Sequence, residues 1–109
     1  MSSEQLHREI SHIYDHDIYN MPASTTMTWH MGSGTDTDTD RYFNLPCGVS
    51  YGIKIISEAS VSITEINDKP LKAPLPVSTG GFTTDKLRIS SIKISNETTA
   101  RTVQVEVKC

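Results

Sequence analysis

The sequence predicts a mainly β protein, an antiparallel β-sandwich or small barrel preceded by a short N-terminal helix and an extended arm. Short segments rich in Val, Ile, Thr and Ser recur along residues 41–108, with turn residues between them. The last segment alternates Val103, Val105 and Val107 with polar residues, which is the period of a strand with one buried face. The first residues of the chain instead place apolar side chains at helical spacing.

The N-terminal segment, residues 3–16, predicts a helix. Leu6, Ile10 and Ile13 lie three or four positions apart and form one apolar stripe. A helix this short is only marginally stable alone. We therefore expect it to dock on the chain's own sheet or on a neighbouring subunit.

An arm is predicted after the helix, because residues 17–34 show no clean period. Methionine is over-used on surfaces that bind a partner. The candidate interaction residues in this arm are Tyr19, Met21, Met27, Trp29 and Met31. Two interpretations are open, an arm folded over its own core and an arm that reaches another subunit. The predicted organisation is a helix and arm over residues 1–34 and a β-sandwich domain over residues 35–109.

The β domain is divided into strands by its turn residues. The predicted strands are residues 41–45, 49–57, 60–66, 71–77, 86–95 and 101–108. The second and third strands, and the last two, are expected to pair as hairpins. Pro74 and Pro76 make the fourth an edge strand, because proline cannot donate to a ladder.

A buried face is predicted from the alternation within these strands. The residues expected between the two sheets are Ile53, Ile55, Val61, Ile63, Leu87, Ile89, Val103, Val105 and Val107. The apolar positions change parity between Ile89 and Ile92. That change predicts a bulge or bend near Ser90.

A run of alternating Thr and Asp places Asp36, Asp38 and Asp40 at the spacing of calcium-loop ligands. The EF-hand loop also needs a glycine at its sixth position and a glutamate at its twelfth, where this chain has Arg41 and Cys47. We therefore favour a solvated loop over a metal site.

Catalytic machinery is not recognisable in the sequence. His12 and His16 have the i, i+4 spacing of zinc ligands, but further ligands and the glutamate of the metalloprotease motif are missing. There is no nucleophile elbow and no phosphate-binding glycine loop. We expect no enzyme activity, no metal and no cofactor.

The two cysteines, Cys47 and Cys109, lie far apart in the sequence. They could pair within the chain, pair between chains, or remain free thiols in a reducing cytoplasm. Because a residue at the chain end is mobile enough to meet disulfide geometry, we expect Cys109 to bond with Cys47 of another copy.

Composition excludes several partner classes. The net charge is −3 and the basic residues are scattered singly, so no stripe is available for nucleic acid phosphates. No apolar run approaches the roughly 20 residues that span a bilayer. The first ten residues lack the basic and apolar regions of a signal peptide, which predicts synthesis in a cytoplasm.

Residues 61–71, the Gly80-Gly81-Phe82 turn and residues 87–107 resemble small β-sandwich virion proteins of tailed bacteriophages. Such proteins have Ser/Thr-rich strands, a short N-terminal extension and no catalytic residues. The resemblance extends over residues 49–108. It implies a structural subunit of the virion, most simply a capsid decoration (cement) protein, with a tail or neck protein as the alternative. It also implies that the partners are other virion proteins and copies of itself.

A ligand-binding β-module, for example for carbohydrate, is the competing class. Such modules display exposed aromatic rings that stack on the ligand. The aromatic residues of the strand region, Tyr42, Phe43, Tyr51 and Phe82, are not clustered in the sequence. This distribution favours a structural role.

Overall fold

The fold is described from a computed structural model of the 109-residue chain. The structure describes residues 14–58, 61–77, 81–85, 87–97 and 99–108. Within these residues the chain forms nine strands and no helix. They are β1 (Tyr14–Met21), β2 (Thr25–His30), β3 (Asp40–Tyr42), β4 (Ile53–Ser57), β5 (Val61–Ile66), β6 (Lys69–Val77), β7 (Phe82–Thr84), β8 (Ser91–Asn96) and β9 (Arg101–Lys108).

The prediction of a mainly β protein is confirmed, whereas the predicted helix is not seen. Residues 3–13 of that helix lie outside the described residues. Its last three residues, 14–16, belong to β1 and pair with the end of β9. In the part of the chain that the structure describes, no helix is present that could cross a bilayer.

The strands form two sheets. Sheet A has the order β1-β9-β4-β7, and sheet B has the order β3-β2-β8-β5-β6. Neighbouring strands are antiparallel except for β2 and β3, which are parallel. The buried hydrophobic side chains of both sheets belong to one cluster.

Both predicted hairpins are wrong. β4 and β5 lie in different sheets, and so do β8 and β9, so each connection crosses from one sheet to the other. The hairpin in sheet B is instead β5–β6, whose turn residues Asn67 and Asp68 have φ angles of 56° and 64°. Two successive left-handed residues are the signature of a type I′ turn, which matches the twist of a hairpin.

The predicted buried face is confirmed at every position except Leu87, which is 41% exposed. The bend expected near Ser90 is also present. Ile89 bridges to Ser50, near the start of β4, and β8 begins at Ser91 in the other sheet. The parity change therefore marks the point where the chain passes between sheets.

Of the two interpretations left open for the arm, packing on the chain's own core is confirmed and the interaction role of its residues needs correction, because residues 14–30 supply one strand to each sheet. Met21, Met27, Trp29 and Met31 are at most 2% exposed and belong to the chain's own core. Tyr19 packs partly buried against the same core. The reason is the period of two in β2, which places Met27 and Trp29 on its inner face. A boundary at residue 34 consequently does not separate an arm from a β domain.

Candidate functional site

A polar cluster joins the two sheets beside the β1 edge. Asp17 comes from β1, Trp29 from β2 and Arg41 from β3, so the cluster links sheet A to sheet B. Arg41 donates from Nε to Asp17 Oδ2 at 2.9 Å and from Nη2 to Oδ1 at 2.7 Å. The indole Nε1 of Trp29 donates to the same Oδ2 at 2.9 Å. Paired Arg–carboxylate bonds of this kind are among the stronger hydrogen bonds in proteins.

The surroundings of the cluster hold these side chains in place. The guanidinium of Arg41 lies 4.7 Å from the ring centre of Tyr19, and Tyr19 meets Trp29 edge to face at 6.3 Å. Burial alone would raise the pKa of Asp17, but the hydrogen bonds from Arg41 and Trp29 outweigh it and lower the pKa below its usual value. Both carboxylate oxygens of Asp17 accept bonds, so this side chain connects β1 to β2 and β3.

A second polar group lies near the end of β3. His30 Nε2 is 2.7 Å from Asp40 Oδ1, and its ring stacks on Tyr42 with centroids 4.5 Å apart. The bond to His30, supported by that from Thr39, lowers the pKa of Asp40. The Thr39 hydroxyl donates to the carboxylate at 2.7 Å and not to the imidazole. A nucleophile activated by histidine would have the opposite arrangement.

The carboxylates of the Thr-Asp run diverge. Asp36 Oδ1 accepts a bond from the Tyr42 amide at 2.7 Å, Asp40 faces His30, and Asp38 is exposed. His16 is exposed on β1, and His12 lies outside the described residues. Among residues that the structure describes, no group of three or more His, Cys, Asp or Glu side chains is arranged to hold a metal ion.

Of the two cysteines, only Cys47 lies among the residues that the structure describes. Cys47 is exposed in the turn before β4, with Sγ 2.9 Å from the carbonyl oxygen of Val49. Cys109 lies outside the described residues. The residue before it, Lys108, donates its amide to Ser50 Oγ at 3.1 Å, and its carbonyl accepts from the Tyr51 amide at 3.0 Å. The end of β9 therefore runs beside the segment that follows Cys47 in the same chain.

The four sheet edges differ in their capacity to pair with another strand. β6 has Pro70, Pro74 and Pro76, and β3 and β7 are only three residues long. β1 is eight residues long without proline, and within the described residues it pairs with β9 alone. Its Ile18 is 56% exposed on the outer face of sheet A. Long edges without such protection are available for strand addition.

Neither a family model, nor a curated protein, nor a solved structure matches this chain. The candidate site is therefore defined by its own geometry. Sequence reasoning missed both the Asp17–Arg41 pair and the β1 edge. One signal in the sequence could have indicated the Asp17 site. Asp17 lies two and four positions before Tyr19 and Met21, so as a strand these three residues share the inner face of β1.

Proposed function

We propose that the chain is a structural subunit of a tailed-phage particle, a β-sandwich decoration (cement) protein that stabilises the shell through contacts between subunits. The observation that carries this proposal is the β1 edge. Three edges are short or contain prolines, whereas β1 offers an eight-residue edge with an exposed Ile18. Addition of a strand to such an edge is a common route to protein–protein contact.

The state of the ionisable groups supports a structural role. Asp17 and Arg41 satisfy each other between the sheets, and Lys93 Nζ pairs with Glu65 Oε2 at 2.8 Å on the surface of sheet B. These side chains stabilise the fold through internal contacts. A subunit that acts by holding its neighbours together needs a well-tied fold and an exposed edge, and the internal ion pairs and the β1 edge support such a role.

The positions of the aromatic rings do not favour a carbohydrate-binding module. Tyr42 stacks on His30, and Phe43 and Phe82 pack partly buried against the core. Tyr51 is half exposed, with the Arg88 guanidinium 5.9 Å from its ring centre. A stacking platform needs rings that share one exposed face.

Analysis of purified particles tests the proposal. Phage particles from a culture that produces the chain are banded on a density gradient, and the fractions are probed with an antibody against the purified chain. We expect the chain to co-sediment with the particles and to remain after a salt wash that removes adventitious proteins. Gold labelling of the head, as opposed to the tail or neck, distinguishes a decoration protein from the alternative location. Recovery only in the unsedimented fraction would contradict the proposal.

A further inference from the structure

We propose that β1 pairs antiparallel with β1 of a second copy around a two-fold axis at Ile18. Two copies of sheet A would then form one continuous sheet, with the two β1 strands at its centre. This inference rests on the proposed function and deepens it, because it names the surface through which two subunits would make contact. A two-fold contact of this kind presents the same residues from both copies.

The choice of edge follows from the backbone. An added strand needs a row of amide and carbonyl groups that no proline interrupts. β1 is eight residues long without proline, and its opposite side is fixed by pairing with β9 from Tyr14 to Met21. One amide of the strand, that of His16, already donates to Asp15 Oδ1 at 2.8 Å. On β6, the other long edge, prolines occupy positions 70, 74 and 76.

The register follows from the alternation of side chains. A two-fold axis perpendicular to the sheet keeps the inner and outer faces of both copies separate. The axis must therefore lie midway between the two copies of one residue, and not level with the peptide bond between two residues. Two registers overlap the strands most fully, one centred on Asp17 and one centred on Ile18. The first leaves the exposed Ile18 opposite the polar His16, and it also brings two Asp17 carboxylates opposite each other, each bonded to its own Arg41.

The register centred on Ile18 contains no such conflict. It places Ile18 opposite Ile18 of the second copy, His16 opposite Asn20, and Asp17 opposite Tyr19. No carboxylate then faces another carboxylate across the interface. Within sheet A, Ile18 lies opposite Gln104 of β9, and Gln104 lies opposite the half-buried Ile56 of β4 on its other side. Pairing therefore covers an isoleucine that is 56% exposed in the single chain.

The test is the oligomeric state of the purified full-length chain, measured by sedimentation velocity and native mass spectrometry over a concentration series. We expect a dimer for the wild type. Ile18→Lys should raise the dimer Kd by about 10-fold or more, because it removes the apolar contact and places two charges opposite each other. Leu75→Lys is the matched control, since Leu75 is 38% exposed on the β6 edge. This control should dimerise like the wild type.

A charge-pair experiment reports on the register itself. Ile18→Lys and Ile18→Glu chains should each dimerise weakly alone and form a mixed dimer when combined, because the axis places the two substituted positions opposite each other. Circular dichroism of each variant establishes that the single chain remains folded. A monomeric wild type up to its solubility limit would overturn the inference. So would equal dimerisation of Ile18→Lys and Leu75→Lys.

The particle assay distinguishes failure of this inference from failure of the proposed function. A chain that co-sediments with particles but is monomeric in the concentration series overturns the inference and supports the function. A chain that dimerises through Ile18 but never enters particles supports the inference and overturns the function.

Discussion

Replacement of Asp17 by alanine is expected to destabilise the fold by about 2–4 kcal/mol. Trp29 is fully buried, and its Nε1 hydrogen would lose its acceptor, Asp17 Oδ2. An unsatisfied buried donor costs about 1–3 kcal/mol. The Arg41 side chain is 24% exposed, so its guanidinium regains part of its hydration when the paired bonds are lost. Loss of the two Arg41–Asp17 bonds therefore adds only roughly 1 kcal/mol to the cost.

Urea unfolding of the variant measures this cost. Trp29 is the one tryptophan of the chain, so its fluorescence reports on the site itself, and circular dichroism reports on the sheets. Asp38→Ala, at an exposed aspartate of the neighbouring loop, is the control and should change stability by less than about 0.5 kcal/mol. Asp17→Asn should fall between the two, because an amide oxygen still accepts the indole bond. An Asp17→Ala variant as stable as Asp38→Ala would refute the reasoning.

Three further predictions concern acid stability, the N-terminal strands and the cysteines. The pKa of Asp17 is lowered on folding from 3.8, so stability should fall as the pH drops below about 4 through the folded pKa, and urea titrations should show a smaller fall for Asp17→Asn. Deletion of residues 1–31 removes β1 and β2, so the truncated chain should lose its β-sheet circular dichroism signal, and a folded product would contradict the assigned pairing. The oxidised chain should bond Cys47 to Cys109 within one copy, because Lys108 is hydrogen-bonded beside the segment that follows Cys47. Non-reducing electrophoresis should then give a faster monomer band, whereas a reductant-sensitive ladder would support the bond between copies.

The strands predicted best from the sequence are those whose signal is local. β9 has the predicted bounds, because strict alternation of valine with polar residues gives a strand one apolar face and gives a helix none. β6 is an edge strand, as its prolines require. The methionines of the N-terminal region were misinterpreted because residue type was weighed above spacing. Met27 and Trp29 follow the same period of two as the valines of β9.

Sheet membership was not predictable by the same means. The short connection after β4 is compatible with a hairpin or with a crossing to the other sheet. The choice depends on β9, which fills the place beside β4 that a hairpin partner would need. The Asp17–Arg41 pair was missed for a related reason. Its members are 24 residues apart and lie in different sheets, so neither position carries a local signal of the other.

The positions of β1 and β2 connect folding to the proposed contact between copies. β1 pairs with β9 and β2 pairs with β8, so strands from the start of the chain join strands near its end. Such non-local pairing incurs the entropy of closing a long loop before its contacts form. β1 has its position at the edge of sheet A only after β9 is in place. The exposed β1 edge therefore exists only once β1 has paired with β9. A chain in which this pairing has not formed cannot present the edge to a second copy.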